Sequence, residues 1–320
     1  MSINTFLVIT CPICGSQGEI LYQGLKDRIF QIPGVWSFFQ CLECKTIWLN
    51  PRPDIQEFQK LYEIYYTHSN DTFTIPSKEE ITEKFKNLLL PGRYDEINHL
   101  DTFFLSKVNN GKLLDIGCGN GVFLARMREK GWDVTGLEAD AKAAFIAESR
   151  YGLKVIVGRW EEVDFLPNSF DAIIMNHVIE HMTDPGYSLK RCFDVLKIGG
   201  ELSLVTPNIE SLGHKIFRKY WYSLDPPRHL ILFSKKNLKE LFKDLGFSDL
   251  NFYSFSRSTR YIVDQSMKIF LGGHVTDTRF NKNTIICFNK ILGLSLISLE
   301  YWGNAIFNNI GEELVIVAKR

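Results

Sequence analysis

A short apolar segment that runs directly into three closely spaced glycines most constrains the fold of this chain. The segment LLDIGCGNGVFL covers residues 113–124, and its glycines, Gly117, Gly119 and Gly121, fall between the predicted strand LLDI and the predicted helix GVFLARMREKG. Glycines at such a junction let the backbone turn tightly and let a ligand approach it. Strand and helix patterns then alternate through DVTGLE, AKAAFIAESR, KVIVG, FDAIIM and ELSLVTP. This alternation predicts an α/β fold, in which helices wrap a parallel sheet.

An acidic residue beyond the loop indicates what the loop binds. Glu138 ends the next predicted strand, where a carboxylate can accept hydrogen bonds from the two ribose hydroxyls of a nucleoside. The loop reads GxGxG and departs from the dinucleotide pattern GxGxxG, because position 122 is Val. A nucleoside without a pyrophosphate therefore fits the loop better than NAD does. The alternative is a tight turn with a surface acid beside it.

Four cysteines near the start of the chain form two CxxC pairs, CPICG at 11–15 and CLECK at 41–45. Each pair can place two thiolates on one side of a tight turn, and two such turns make the closed tetrahedral site that structural zinc prefers. A segment this short cannot bury enough apolar surface to fold alone, so a metal would supply the missing stability. A redox pair or unrelated thiols are the alternatives. The predicted zinc ligands are Cys11, Cys14, Cys41 and Cys44.

The composition argues against two broad classes of protein. Lys and Arg number 37 and Asp and Glu also number 37, so the chain has no broad basic footprint for nucleic acid, although a local patch can exist within this balance. The longest apolar stretch, ILGLSLISL at 291–299, is too short to cross a bilayer, and no signal peptide is recognised at the start. The scattered remaining cysteines indicate a reduced compartment. We expect a cytoplasmic protein, with contact to the inner membrane face left open.

Four motifs in a fixed order resemble class I S-adenosylmethionine-dependent methyltransferases: DIGCGNG, GLEAD, SFDAIIMNHVIEHMTDP and LKIGGELSLVTPN. The resemblance covers about residues 90–320 and implies a Rossmann-like sheet of seven strands, the last of them antiparallel. It implies that Asp115 and the loop from Gly117 to Gly121, Cys118 included, hold the methionine end of the cofactor. Glu138, with Ala139 after it, would hold the ribose.

The same resemblance assigns the remaining cofactor contacts to two further loops. The loop containing Arg159, Trp160 and Glu161 would meet the adenine, although many relatives carry an acid at the position of Arg159. Trp160 either stacks on the base or packs in the core. Asn176 and His177, after the fourth strand, would lie beside the methionine moiety and the methyl group.

Three regions are predicted along the chain. Residues 1–50 form a zinc-ribbon-like module, 51–92 a helical linker or cover, and 93–320 the methyltransferase domain with an insertion at about 257–310. The cysteine ribbon, WLNPRP and YWYSLDPPRHLILFSKKNL resemble a bacterial subgroup that is often assigned to methylation of glycans, lipids or secondary metabolites. Within the insertion, the apolar helical pattern at 285–306 is either core or a dimer face, or else a surface for a lipid-linked acceptor at the membrane.

Few side chains are candidates for acid–base chemistry. Methyl transfer from a sulfonium needs alignment of the reactants, and a hydroxyl acceptor also benefits from a general base. Our first candidate is His229, followed by His181 and Asp225. The sequence DPPRH at 225–229 should lie over the carboxyl end of the sheet, where ligands bind. The alternative is that His229 and Arg228 only fix the conformation of this loop by hydrogen bonds. The HVIEH segment is similar to a metal-linked cluster of ubiquinone-pathway O-methyltransferases, except that they have Glu where this chain has His177. Helix capping and packing are the alternative role of these residues, and the one we favour.

The predicted function is O-methylation of a sugar, a glycan or another small molecule. Three aromatic residues before the DPPRH segment would form either a platform on which a sugar stacks or a hydrophobic lid: Tyr220, Trp221 and Tyr222. The first alternative is an RNA methyltransferase that grips nucleic acid with the zinc module. Against it, only Lys26 and Arg28 are basic between the CxxC pairs, and the NPPY-type motif of base methylation is missing after Asn176. The second alternative is a non-catalytic adaptor, which the intact glycine loop argues against. The oligomeric state is not predicted.

Overall fold

The computed structural model describes residues 3–57, 111–255, 258–275 and 309–320, together with Leu61, Phe103 and Leu105. The chain divides into two compact units. The first comprises Met1–Tyr65, His177–Arg191 and Leu204–Ile316, and the second comprises Tyr66–Asn176, Cys192–Ser203 and Val317–Arg320. Beyond residue 57, the predicted helical linker or cover at 51–92 lies outside the described residues except for Leu61, and so does the apolar pattern at 285–306.

The elements follow the predicted alternation of strands and helices. The strands are β1 Thr5–Phe6, β2 Gly18–Leu25, β3 Trp36–Cys41, β4 Ile47–Asn50, β5 Arg52–Pro53, β6 Lys112–Ile116, β7 Asp133–Glu138, β8 Val155–Val157, β9 Phe170–Asn176, β10 Leu196–Pro207, β11 Ile231–Leu232, β12 Ser248–Phe255 and β13 Glu313–Lys319. The α-helices are α1 Val122–Glu129, α2 Ala141–Tyr151, α3 Pro185–Val195, α4 Leu212–Phe217, α5 Lys235–Asp244 and α6 Thr259–Phe270.

Seven strands form one sheet in the order β12-β13-β10-β9-β6-β7-β8. This confirms the predicted Rossmann-like α/β fold with seven strands. In the second unit, β6 pairs in parallel with both β7 and β9, so Ile116 lies opposite Leu137 on one side and Met175 on the other. Such central strands are buried on both faces, which is why they read as continuous apolar runs. The carboxyl ends of these three strands meet at one edge of the sheet.

A separate four-stranded sheet in the first unit contains the cysteine ribbon, in the order β11-β4-β3-β2. Strands β2, β3 and β4 come from the N-terminal residues, whereas β11 comes from the segment HLILF far downstream. Ile231 of β11 lies opposite Trp48 of β4, and both side chains are fully buried. The ribbon therefore completes its sheet and its core with residues that lie beyond position 200. No helix among the described residues has the length and apolar character needed to cross a membrane.

Candidate functional site

The glycine loop of the second unit turns where its backbone takes left-handed conformations. Gly117, Gly119 and Gly121 have φ angles of 75°, 55° and 77°, which residues with a Cβ rarely adopt. The amides of Gly117 and Cys118 donate to the carbonyl of Leu137 over 2.8 and 3.2 Å, so the loop is fastened to the end of β7. A Cβ at Gly119 would meet open space, so this stretch of backbone is accessible to a ligand.

Glu138 lies beside this loop with both carboxylate oxygens held in place. Gly119 donates its amide hydrogen to Oε2 over 2.8 Å, and Asp140 donates its amide hydrogen to Oε1 over 2.9 Å. Burial raises the pKa of Glu138, whereas these amides favour its ionised form. Each carboxylate oxygen can accept a second hydrogen bond. The side chain is thus oriented to accept hydrogen bonds from a pair of adjacent hydroxyl groups.

Asp115, at the end of β6, is a second buried carboxyl. Its burial, together with the negative charge of Glu138, raises its pKa to about 8. An arriving cation would favour ionisation of this group, because an opposite charge stabilises a carboxylate. Burial and the two carboxylates also raise the pKa of Cys118, which keeps its sulfur as a thiol. The edge of the sheet therefore suits a ligand that carries both hydroxyls and positive charge.

The remaining predicted cofactor residues of this unit differ in exposure. Ala139 and Asn176 are exposed. Trp160 is only 2% exposed and packs against Phe165 with ring centroids 5.7 Å apart, so its side chain is part of the core. Glu161 forms an ion pair with Arg159 through Oε2 at 3.6 Å. Its other oxygen, Oε1, is buried and has no hydrogen-bond partner among the described residues, which leaves an acceptor available to a ligand.

In the first unit, His177 is clamped between two carboxylates. Its Nδ1 lies 3.0 Å from Oε1 of Glu180 and its Nε2 lies 3.1 Å from Oε1 of Glu313. Burial disfavours the imidazolium, but the two carboxylates outweigh it and raise the pKa of His177 to about 10. Burial would raise the pKa of Glu180, but its contact with His177 outweighs this and lowers that pKa to about 2. His177 is therefore charged near neutral pH. Its own backbone has a left-handed φ of 54°.

His181 and His229 form a second pair, with ring centroids 4.8 Å apart. The Nδ1 atom of His181 lies 3.0 Å from the carbonyl of Arg228, and that of His229 lies 2.7 Å from the carbonyl of Ser223. Because a carbonyl only accepts, the Nδ1 atom of each ring carries a hydrogen. Burial, reinforced by the nearby His229, lowers the pKa of His181 to about 4.

This histidine pair, together with Glu180, suits two kinds of chemistry. One ligand atom from each of Glu180, His181 and His229 lies within 4.8 Å of the others, a spacing that a metal ion can use. Metal-binding histidines commonly donate their second ring N–H to a carbonyl or a carboxylate, as both rings do to carbonyls here. Without a metal, an imidazole in its neutral form is a potential general base through Nε2.

The DPPRH loop is organised around a fully buried arginine. Nε of Arg228 donates to both carboxylate oxygens of Asp225 at 2.9 and 3.0 Å. Its terminal nitrogens donate to both oxygens of Asp27 at 2.8 and 2.9 Å. Asp225 is thereby held by Arg228, and its Oδ2 lies 4.0 Å from Nε2 of His229. No sequence motif marked Asp27, whose carboxylate also accepts from the amides of Ile29 and Phe30.

The structure brings the four cysteines of the ribbon together. Their closest sulfur separations are 3.6 Å for Cys11 and Cys44, 3.4 Å for Cys14 and Cys41, and 3.5 Å for Cys14 and Cys44. Disulfide sulfurs would lie about 2.05 Å apart. Zinc bonds of about 2.3 Å in a tetrahedron place sulfurs about 3.8 Å apart, so this donor set fits zinc closely.

A buried cation accompanies the four sulfurs. Arg52 is 3% exposed, and its Nε and Nη2 atoms have no hydrogen-bond partner among the described residues. Burial lowers the pKa of Arg52 to about 10, and a negative charge on Cys11 would oppose this shift. Four thiolates around one zinc ion carry two net negative charges, which a neighbouring guanidinium can partly offset.

Comparisons with known proteins identify the domain that contains the glycine loop. Residues 93–251 match the family described as a methyltransferase domain. An uncharacterized protein of Methanocaldococcus jannaschii is 28% identical over 143 residues, which are 45% of this chain and 67% of that protein.

Two proteins named ubiquinone biosynthesis O-methyltransferase match over shorter segments. The one from Pseudomonas aeruginosa is 31% identical over 30% of this chain and 44% of its own length. The one from Idiomarina loihiensis is 33% identical over 35% of this chain and 46% of its own length. The chain thus spans less than half of these two relatives.

Among solved structures, phosphoethanolamine N-methyltransferase 2 of Haemonchus contortus, in complex with S-adenosyl-L-methionine, superposes with a TM-score of 0.51. The match covers 86% of this chain and 62% of that chain at 16% sequence identity. At this identity, the similarity establishes the fold alone.

Proposed function

Since residues 93–251 match the family described as a methyltransferase domain, we propose that the protein is an S-adenosylmethionine-dependent methyltransferase that O-methylates a small molecule, with a sugar or glycan hydroxyl as the first candidate acceptor. The observation that carries the methyl-donor assignment is the orientation of Glu138 by the amides of Gly119 and Asp140. The relatives named O-methyltransferases favour oxygen as the methylated atom, although their similarity covers only part of each chain.

The residues around the glycine loop fit each part of this donor. Glu138 would accept hydrogen bonds from the ribose hydroxyls, and the buried Oε1 atom of Glu161 would accept one from the adenine amino group. Asp115, with its raised pKa, would ionise as it meets the positively charged methionine end. The loop from Gly117 to Gly121 would place backbone against the same end. The bound donor supplies a methyl group already activated on a sulfonium, so the main tasks of the protein are alignment and exclusion of water.

For a hydroxyl acceptor, we assign His229 as the general base. Its Nδ1–H is held by the carbonyl of Ser223, which leaves Nε2 to accept a proton. His181 is a weaker candidate, because a pKa of about 4 makes it a poor proton acceptor at neutral pH. Asp225 would orient the loop through its hydrogen bonds with Arg228, and its Oδ2 lies 4.0 Å from Nε2 of His229.

For the ribbon, we propose a structural zinc ion bound by Cys11, Cys14, Cys41 and Cys44. Their spacing supports this assignment, as does the buried Arg52, whose Nε and Nη2 atoms have no hydrogen-bond partner among the described residues. Four protein ligands leave no open position on zinc, so the metal would stabilise the fold without taking part in the reaction.

The experiment that tests the function is transfer of labelled methyl groups from S-adenosylmethionine into a fractionated host extract. Label in a saccharide, lipid-linked or other small-molecule fraction supports the proposal, whereas label in RNA contradicts it. Cofactor binding without transfer into any fraction would favour a non-catalytic role. The variant His229→Gln should slow transfer while affinity for S-adenosylhomocysteine is retained, and His274→Gln serves as the matched control.

A further inference from the structure

The two basic residues between the CxxC pairs, Lys26 and Arg28, lie at a narrow cleft within the first unit. Lys219, from the turn that precedes Trp221, lines the same cleft. The cavity volume is about 20 Å³, and the empty space reaches about 300 Å³ only when the part open to solvent is included. Leu25, Ile29 and Ile269 contribute apolar lining. Two neighbouring cations of the N-terminal segment and one from far downstream therefore converge on one concave surface, although the charge of the whole chain is balanced.

Two of these cations share one aromatic ring. The guanidinium carbon of Arg28 lies 5.2 Å from the ring centroid of Tyr220, and Nζ of Lys219 lies 5.1 Å from the same centroid. Such cation–π contacts orient the charged groups but do not saturate their hydrogen-bond donors. Nη1 of Arg28 is buried and has no hydrogen-bond partner among the described residues. A buried donor without an acceptor destabilises a protein unless a ligand supplies the acceptor.

Among the described residues, the acidic groups that line this cleft or adjoin it in sequence are already engaged. Asp225 lines it, but both of its carboxylate oxygens accept hydrogen bonds from Arg228. Asp27, next in sequence to Arg28, is bound to the same guanidinium. The single charge of Arg228 offsets one of the two carboxylates, so one negative charge remains beside the three positive charges of Lys26, Arg28 and Lys219. The cleft keeps a net positive charge and an unsatisfied donor, which is the chemistry of an anion site.

We propose that this cleft binds the phosphate group of a small phosphorylated molecule, either a phosphate ester or a diphosphate. A guanidinium supplies directed donors for phosphate oxygens, and ammonium groups add compact positive charge. A narrow cleft with apolar residues at its sides can accept a single phosphate group. A nucleic-acid backbone would instead need an extended basic surface. The inference stands on the cleft alone and does not require the acceptor proposed above.

Titration of the full-length, zinc-loaded protein with inorganic phosphate and pyrophosphate at low ionic strength tests this site. We expect saturable binding that Arg28→Gln weakens by about tenfold or more, because a charge-assisted hydrogen bond is lost. Lys219→Gln, at an exposed position, should weaken it less. The matched control Lys239→Gln removes one exposed charge from α5 of the same unit and should leave the affinity unchanged. Affinity for S-adenosylhomocysteine, measured on the same proteins, should not change and reports that each variant is folded.

Three outcomes would overturn the proposal. The first is absence of saturable binding of either anion by the unsubstituted protein. The second is an equal loss of affinity in Arg28→Gln and Lys239→Gln, which would indicate general attraction by surface charge. The third is tight binding of a single-stranded RNA that neither Arg28→Gln nor Lys219→Gln affects. Should Arg28→Gln fail to fold, retention of full pyrophosphate affinity by Lys219→Gln would also count against the site.

Discussion

The amide of Gly119 donates a 2.8 Å hydrogen bond to Oε2 of Glu138, which couples the glycine loop directly to the carboxylate at the end of β7. The loop and the acid are separate motifs in the sequence, yet each orients the other in the structure. A ligand that uses the carboxylate therefore also meets the loop backbone.

The first prediction concerns this carboxylate. Glu138→Ala should weaken binding of S-adenosylhomocysteine by about 1.5–3 kcal/mol, since hydrogen bonds to a charged group are lost. Isothermal titration measures the change, and Glu148→Ala, at an exposed position on α2, is the matched control. Equal affinity in Glu138→Ala and the unsubstituted protein would remove Glu138 from the cofactor site.

The second prediction concerns the ribbon. Cys41→Ser should release zinc and lower the thermal stability of the first unit, because the metal would contribute free energy of folding there. Metal analysis by mass spectrometry and calorimetry measure these effects, with Cys192→Ala as a control at a buried cysteine outside the cluster. Affinity for S-adenosylhomocysteine should be mostly retained. A joint loss of zinc and cofactor affinity would contradict separate roles for the two sites.

The third prediction concerns the buried Arg228. Arg228→Met leaves the carboxylates of Asp27 and Asp225 without their cation, and breaking a buried ion pair in this way destabilises by about 3–5 kcal/mol. Urea denaturation followed by tryptophan fluorescence measures the change. The triple variant in which Asn also replaces both aspartates should recover part of the loss, because no uncompensated charge then remains buried. A loss below about 1 kcal/mol would show that water reaches these carboxylates.

The fourth prediction concerns the acid stability of the histidine pair. The folded-state pKa of His181, about 4, lies below the ordinary value of about 6.5. As pH falls from about 6.5 towards 4, the unfolded chain binds a proton that the folded chain rejects, so folded-state stability falls in that window. His181→Gln should reduce this loss, as denaturant titrations at pH 7 and pH 5 would reveal. The control variant His274→Gln should lose as much stability between pH 7 and pH 5 as the unsubstituted protein does. An equal loss in His181→Gln would show that the lowered pKa of His181 does not cause it.

Patterns that are local in sequence predicted most of the sheet. Apolar runs bounded by turns marked the strands, and glycines marked the junction at β6, because backbone conformation depends on neighbouring residues. Spacing alone also brought attention to Glu138 and to the two CxxC pairs. The structure places Glu138 at the glycine loop and the four sulfurs within reach of one another.

The contacts that local patterns could not predict join residues far apart in the chain. Asp27 meets Arg228, Glu313 meets His177, and β11 completes the sheet of the ribbon. Lys219 likewise joins Lys26 and Arg28 at one cleft. None of these pairs has a characteristic spacing, since side-chain contact across a core depends on how whole elements pack.

The sequence by itself thus determined the α/β class, the glycine loop and the set of cysteines, since these follow from short-range backbone preferences and ligand chemistry. Only the tertiary structure decided which histidines are charged, which carboxylates are already engaged and which cations remain available. Those properties depend on burial and on partners brought together by folding, because a buried group takes its charge state from its surroundings.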